Sequence, residues 1–126
     1  MKILLLIVLS TFTLLASELH YEHNFDKVVE KAIQQNKQVM MMYSAVWCPE
    51  CEYMKEVVFK DEKVSKYLEQ HYVVLTLDIQ KDTLPEGFDY DGIPIFFFLD
   101  KKAKEQNKII GGSKAKIFLQ KMKDLK

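Results

Sequence analysis

The residues of this 126-residue chain most able to do chemistry are its two cysteines, Cys48 and Cys51. They lie three positions apart, directly after the single tryptophan, Trp47. Two thiols at this spacing can serve as metal ligands, form a structural crosslink, or act as a reactive pair that exchanges disulfides with other molecules. The neighbouring residues help to distinguish these three uses.

A closed metal site is not supported by the sequence around the cysteines. Structural zinc takes four protein ligands, and the three histidines, His20, His23 and His71, all lie outside the Cys48–Cys51 segment. We expect His20 and His23 to be solvated at the start of the mature chain, and His71 to end a helix. We therefore expect no metal and no cofactor.

A structural crosslink between Cys48 and Cys51 is also a poor interpretation. The stabilisation by a disulfide grows with the length of the loop that it closes, and a ring of four residues contributes only about 2 kcal/mol in the chain-entropy model. Such a bond ties one helical turn to itself and joins no distant elements.

A reactive pair gives each neighbouring residue a physical reason. The apolar residues 38–45 predict a buried strand that leads directly to Cys48, and Pro49 then predicts the first turn of a helix. A thiol at a helix N-terminus faces unpaired N–H groups and the positive end of the macrodipole, both of which favour the thiolate. Cys48 is therefore predicted to attack substrate disulfides, and Cys51, one turn further on, to resolve the product.

The elements that must position these thiols follow the order α, β, α, α, β, β, β, α, with a short strand near residues 19–21. Helices are predicted after the capping residues Asn24, Asp61 and Ser113, and strands at residues 38–45, 72–79, 93–100 and 108–110. This order is typical of one α/β domain, in which a small central sheet carries helices on both faces.

The N-terminus differs from the rest of the chain. Lys2 precedes fourteen mostly apolar residues, Ile3–Ala16. A membrane-spanning helix needs about 20 such residues, whereas a secretory signal needs about 7–15 after a positive residue. We expect residues 1–17 to be a signal peptide, with an uncleaved anchor as the alternative, and residues 18–126 to form an exported, periplasmic domain where disulfides persist.

Composition argues against one large class of partners. The formal net charge is +0 and all 18 basic residues are lysine. The chain therefore has neither a broad positive field nor the guanidinium fork that reads base edges and clamps phosphates. We expect no nucleic-acid partner.

The segment WCPEC, placed after an apolar strand, resembles the active site of the thioredoxin family, and the resemblance runs from Asn24 to Lys123. The later segment YDGIPIFFFLD is similar to the family's Gly-x-Pro segment, whose cis proline lies against the cysteines. The resemblance implies a thioredoxin fold with a small central mixed sheet. It also implies that Pro94 is cis, that Ile93 pairs with the substrate backbone, and that Trp47 covers one side of the cysteines.

Two residues depart from the family pattern. Many thioredoxins carry a buried aspartate six residues before the first cysteine, where this chain has Met42. A proton route through that position is therefore absent, and Glu50 or Glu52 is the alternative acceptor unless both are simply solvated. Ile95 follows the proline where threonine is common in related proteins, which predicts a more apolar groove.

These observations predict an exported thiol-disulfide oxidoreductase that acts on protein disulfides. The sequence looks especially like periplasmic reductase domains that receive electrons from a membrane partner. Because the negative charge of Glu50 opposes a nearby thiolate, we expect a reductase or an electron relay rather than a strong oxidant. The expected partners are protein disulfides and a thiol electron donor, and the expected state is a monomer.

Two alternatives use the same two thiols. A binding protein of thioredoxin fold, such as a copper chaperone, would use them as soft metal ligands, and fold alone does not settle function. A dedicated thiol reductase for the maturation of c-type cytochromes would share the chemistry and differ only in its client.

Overall fold

The chain folds around a mixed sheet, and a computed structural model describes residues 19–125. The strands are β1 (Tyr21–Glu22), β2 (Gln38–Ser44), β3 (Tyr72–Asp78), β4 (Ile95–Leu99) and β5 (Glu105–Ile110). Their order across the sheet is β1-β3-β2-β4-β5. β1 and β2 run parallel to β3, whereas β4 is antiparallel to both β2 and β5. The predicted small mixed sheet is confirmed.

Helices cover both faces of this sheet, as predicted. They are α1 (Phe25–Gln35), α2 (Pro49–Tyr53), α3 (Glu62–His71) and α4 (Ala115–Lys123), and a π-helical segment, Met54–Val58, continues α2. α1 and the loop of residues 79–94 pack on one face, while α2, the π-helical segment, α3 and α4 pack on the other. Within residues 19–125, no helix has the length and apolar character that crossing a bilayer requires.

The central strand β2 supplies core residues to both layers. Met40 and Met42 face the layer that contains α2, whereas Val39, Met41 and Tyr43 face α1. Successive side chains of a strand point to opposite sides, so a strand covered on both faces needs an apolar residue at nearly every position. This double burial is the physical reason for the continuous apolar run in the sequence.

Two of the three predicted helix caps are confirmed. The side chains of Asn24 and Asp61 accept hydrogen bonds from backbone N–H groups in the first turns of α1 and α3, at 3.0–3.1 Å. The prediction for Ser113 is wrong, because α4 begins at Ala115 and Lys114 occupies the N-cap position without a side-chain hydrogen bond. The buried hydroxyl of Ser113 has no hydrogen-bond partner within residues 19–125.

Strand boundaries differ from the prediction at β4 and β5. β4 starts at Ile95 rather than at Ile93, because Pro94 has no N–H group to donate to a ladder. β5 spans Glu105–Ile110 and is longer than the predicted strand at residues 108–110, since its polar first half pairs with β4 at the edge of the sheet. The sequence pattern of an edge strand carries little apolar signal.

The helix after Cys48 changes its period, which the sequence did not predict. The N–H group of Phe59 donates to the carbonyl of Met54 at 2.8 Å, five residues earlier. This wider turn is π-helical, and it directs Met54, Val58 and Phe59 into the core, where each is at most 1% exposed. The predicted signal peptide, residues 1–17, lies outside the described part of the chain.

Candidate active site

The first cysteine lies at the junction between β2 and α2. The N–H group of Cys48 donates to the carbonyl of Ala45 at 3.2 Å, which holds the short connection after β2. Cys48 occupies the N-cap position of α2, and Pro49 is in the first helical turn, as predicted. The Sγ atom of Cys48 accepts a hydrogen bond from the N–H group of Cys51 at 3.2 Å. A sulfur atom therefore caps this helix.

The two cysteines form a disulfide, with their Cα atoms 5.3 Å apart. Their surroundings differ although they share one helical turn. Cys48 is 6% exposed and Cys51 is 0% exposed. Cys48 therefore keeps a small exposed surface, whereas Cys51 has none.

An exposed rim surrounds Cys48, formed by Val46, Trp47, Pro49 and Glu50. Trp47 is 58% exposed and belongs to neither apolar cluster among the described residues. Trp47 directly precedes Cys48, and most of the surface of its side chain is open to solvent. A large exposed indole next to a cysteine is available for contact with another molecule.

The Ile93–Pro94 peptide bond is cis. Pro94 is buried, and Ile93 is partly buried and packs against both apolar clusters, one of which contains Cys48 and Cys51. Residues that are more than 40 positions apart in the sequence therefore meet at one end of the sheet.

An apolar floor lies beneath the disulfide, formed by Met40, Met42, Met54, Phe96 and Phe118, each 0% exposed. Met42 occupies the position six residues before Cys48, so the floor contains a thioether where many thioredoxins carry a carboxylate. In the described part of the chain, Ser44 and Thr76 are the buried residues with polar side chains. The buried residues of this part of the chain therefore include no carboxylate to accept the proton of Cys51.

Two polar contacts near α2 were not anticipated from the sequence. The Nζ atom of Lys55, four residues after Cys51, lies 3.2 Å from the Oγ atom of the buried Ser44. The Oε1 atom of Glu50 accepts a hydrogen bond from the N–H group of Gly112 at 2.8 Å. Glu50 is therefore engaged by the backbone, whereas Glu52 is simply exposed, as the solvated alternative predicted.

Asp78, at the end of β3, anchors the connection that leads to Cys48. Its carboxylate accepts hydrogen bonds from the N–H groups of Gln80 at 2.8 Å, Lys81 at 3.1 Å, and Val46. These contacts, above all the one from Gln80, lower the pKa of Asp78 below its ordinary value. No pattern in the sequence pointed to this carboxylate.

The histidines lie away from the disulfide. His20 and His23 are exposed near β1, where His20 pairs with Glu22 at 3.1 Å. His71, at the end of α3, packs against Tyr67 with its ring tilted and 4.4 Å between ring centroids. Across residues 19–125, no group of three or more histidine, cysteine, aspartate and glutamate side chains could hold a metal ion.

Comparison with known proteins identifies the family. The sequence profile of the thioredoxin-like domain matches residues 25–126. The chain belongs to the thioredoxin-like domain family. The predicted thioredoxin fold is confirmed by this match and by the solution structure of a thioredoxin from Thermus thermophilus. That structure superimposes with a TM-score of 0.70 at 26% sequence identity, and the aligned region covers 85% of this chain and 86% of the Thermus chain.

Two other relatives carry names that refer to disulfide or redox chemistry. The thiol:disulfide interchange protein DsbD of Campylobacter jejuni is 28% identical over 108 residues, which are 81% of this chain and 18% of DsbD. The chain therefore spans less than a fifth of that relative. A structure described as DsbH oxidoreductase has a TM-score of 0.71 at 19% identity, over 94% of this chain and 91% of its own, and supports the fold. The sequence relatives and the Cys48–Cys51 pair support thiol-disulfide oxidoreductase activity.

Proposed function

We propose that the chain is a thiol-disulfide oxidoreductase that acts on protein disulfides through Cys48 and Cys51. One observation carries the proposal: Cys48, whose sulfur caps α2 and which keeps a small exposed surface, is bonded to Cys51, which is completely buried one turn later. Another molecule can contact Cys48, whereas Cys51 is enclosed by the protein. A two-step exchange requires this difference, because one cysteine must attack the substrate and the other must resolve the mixed disulfide.

The exchange begins with the reduced protein. The thiolate of Cys48 attacks one sulfur of a substrate disulfide, which breaks that bond, forms a mixed disulfide and releases the other substrate sulfur as a thiolate. Cys51 then loses its proton and attacks the Sγ atom of Cys48. The mixed disulfide breaks and the second substrate thiolate leaves. The two substrate thiolates take up two protons, which balance the one that Cys51 lost and the one that Cys48 released to solvent when its thiolate formed. The substrate gains two electrons and the protein becomes the disulfide that is described above.

Three neighbouring residues are proposed to bind the substrate. Ile93 would offer its backbone to an extended substrate segment, in the way that an added strand pairs with a sheet edge, and Pro94 would shape the surface beside the sulfurs. Trp47 would cover the bound segment from the rim. The exposure of Trp47 and the position of Ile93 against the cysteine-containing cluster support these roles.

The proposed direction is reduction of substrates or relay of electrons. The position between the cysteines is taken by Glu50, and a negative charge there disfavours the thiolate of the reduced form. The reduction potential is expected at or below about −180 mV, and a value near −120 mV, typical of a strong oxidant, would contradict the proposed direction. Equilibration with glutathione buffers provides the measurement.

Export to the periplasm is part of the proposal, with residues 1–17 as the signal peptide and residues 18–126 as the exported domain. Lys2 and the apolar run Ile3–Ala16 support it. A membrane-embedded thiol donor would then supply electrons, and the domain would act as a monomer. Detection of the mature chain in periplasmic extracts, with an N-terminus near residue 18, tests the location.

Trapping of substrates tests the mechanism. In Cys51→Ser the mixed disulfide on Cys48 cannot be resolved, so reducible adducts with client proteins should accumulate in cells. The double variant Cys48→Ser/Cys51→Ser is the matched control and should trap none. Equal amounts of adduct in the two strains would refute the mechanism. The identity of the trapped proteins also distinguishes a general reductase from one dedicated to c-type cytochromes.

The copper-chaperone alternative makes the opposite prediction in solution. Met42 and Met54 share an apolar cluster with the two cysteines, so soft thioether ligands lie in the same region. A chaperone would bind Cu(I) at one equivalent and fail to reduce insulin in the presence of dithiothreitol. An oxidoreductase would reduce insulin, and Cys48→Ser would abolish that activity.

A further inference from the structure

We propose that Glu50 is a positioning residue for the dithiol reaction, and that it acts through Gly112. Its carboxylate binds the N–H group of Gly112 and so connects the first turn of α2 to the glycine pair that precedes α4. The other glycine of the pair, Gly111, binds the carbonyl of Pro94, just before β4. This inference rests on the proposed function, because it assigns a role in placing substrate disulfides against Cys48.

The first observation is how closely Glu50 and Gly112 fit. The N–H group of Gly112 donates to the Oε1 atom of Glu50 at 2.8 Å, across 62 positions of sequence. A Cβ atom at Gly112 would lie 2.9 Å from the Cγ atom and 3.0 Å from the Oε1 atom of Glu50, and 3.2 Å from the Sδ atom of Met54. These distances are shorter than carbon contacts normally are, so residue 112 must lack a side chain for Glu50 to lie where it does.

The second observation is that the neighbouring glycine binds the proline segment. The N–H group of Gly111 donates to the carbonyl of Pro94 at 2.8 Å. Gly111 has φ +81°, a left-handed conformation that favours glycine. The two adjacent N–H groups therefore hold Pro94 on one side and Glu50 on the other.

Together these two hydrogen bonds and the chain between Gly111 and Gly112 connect Pro94 to Glu50. Glu50 stands between Cys48 and Cys51 in α2, so its position is tied to theirs by the helix. This connection therefore restrains the sulfurs relative to the proline segment. A substrate that contacts both places reacts well only when their relative position is correct, whereas a small disulfide that contacts only the sulfur does not require it.

The charge and the hydrogen bond of Glu50 can be separated by substitution. Glu50→Gln removes the charge and keeps an oxygen acceptor for Gly112, whereas Glu50→Ala removes both. Glu52→Ala is the matched control, since Glu52 is exposed on the same helix. Gly112→Ala displaces Glu50 without changing its chemistry.

Amide hydrogen exchange gives a test that does not depend on activity. The Gly112 amide should exchange about 3- to 10-fold faster in Glu50→Ala than in the natural protein, because a hydrogen bond to a carboxylate is lost, and about as slowly in Glu50→Gln. Glu52→Ala should leave it unchanged. Equal exchange in Glu50→Ala and the natural protein would overturn the proposed contact.

Kinetics with two substrates test the positioning role. In Glu50→Ala, kcat/KM for a protein disulfide such as insulin should be about 3- to 10-fold lower than in Glu50→Gln, which has the same charge, while the rate with oxidised glutathione differs less than about twofold between these two variants. Gly112→Ala keeps the charge and should show the same pattern relative to the natural protein. Glu50→Gln should restore the insulin rate, and the double variant should lose no more than the single ones. Equal losses on both substrates, or none, would overturn the positioning role. Failure of the natural protein to reduce insulin would instead refute the proposed function.

Discussion

The exposed rim and the apolar floor of the site differ in nearly every physical property, although Cys48 and Cys51 lie only one helical turn apart. Polar contacts hold the residues around Cys48 in place: Asp78 binds the N–H group of Val46, and Gly112 binds Glu50. Beneath Cys51 the floor is packed from thioethers and aromatic rings with no exposed surface. Cys48 therefore borders exposed and polar residues, whereas Cys51 is enclosed by apolar ones.

The comparison indicates that stability and reactivity are largely separate in this molecule. The floor buries large side chains, and burial of such side chains contributes most of the favourable free energy of folding. The rim buries little and instead orients backbone and side-chain groups. We therefore expect substitutions in the floor to change mainly the free energy of unfolding, and substitutions in the rim to change mainly the reaction.

The largest effect is expected in the floor, from Met42→Asp. This change places an unpaired carboxylate in a fully buried apolar site, and the free energy of unfolding should fall by about 4 kcal/mol or more at pH 7. Burial raises the pKa of the new carboxyl in the folded state above its unfolded value, so its protonated form is favoured there. Stability of the variant should therefore decrease as pH rises from 5 to 8, as measured by urea unfolding followed by circular dichroism.

Met42→Leu is the control for this prediction, because it keeps the volume and the apolar character and should cost less than about 1.5 kcal/mol. A stable Met42→Asp protein, within about 1 kcal/mol of Met42→Leu, would show that the floor can solvate a charge. The contrast between the two regions would then be wrong.

An intermediate effect is expected where the rim is anchored, from Asp78→Ala. Loss of the hydrogen bonds to its carboxylate should lower the free energy of unfolding by about 1–2 kcal/mol at pH 7. Because folding lowers the pKa of Asp78, this stabilisation is complete above the ordinary value of 3.8 and is lost as pH falls through the lower folded value. The difference between the two proteins should therefore narrow at acid pH. A constant difference from pH 7 to pH 2 would contradict the assignment.

The smallest effect on stability is expected in the rim itself, from Trp47→Ala. The indole is 58% exposed, so the free energy of unfolding should change by less than about 0.5 kcal/mol. The kcat/KM for insulin should nevertheless fall about 3- to 10-fold, because a contact for the bound segment is lost. Ile117→Ala, at a 51% exposed position on α4, is the control and should leave both quantities unchanged. A fall of more than about 0.5 kcal/mol in the free energy of unfolding, with kcat/KM unchanged, would contradict the proposed separation of stability from reactivity.

Most of the fold could be predicted from local patterns. β2 and β4 are covered on both faces, so their apolar runs are long and unmistakable, and Asn24 and Asp61 are followed by amphipathic stretches that need a cap. The π-helical turn could not be predicted, because its extra residue is accommodated by packing of Val58 and Phe59 against other elements. Ser113 has the same local sequence signal, but α4 begins two residues later, so Lys114 and not Ser113 occupies the N-cap position.

The site was predictable in part for the same reason. The positions of Cys48 and Pro49 depend on local rules for helix starts, and local rules were sufficient. The contacts of Glu50 with Gly112 and of Asp78 with Val46 join residues far apart in the sequence, and a glutamate on a short helix or an aspartate at a strand end is usually just solvated. Only the folded backbone brings their partners within reach.

The capping sulfur of Cys48 links two quantities that are usually measured by different methods. In most helices the atom that caps the N-terminus never changes its covalent state, whereas here the capping atom is also one half of a disulfide. Oxidised and reduced forms, folded and unfolded, make a closed thermodynamic cycle. The difference in unfolding free energy between the two redox forms must therefore equal the difference in potential between the folded and unfolded dithiol, at about 1.4 kcal/mol for each 30 mV. A pair of urea titrations is, for this protein, also an electrochemical measurement.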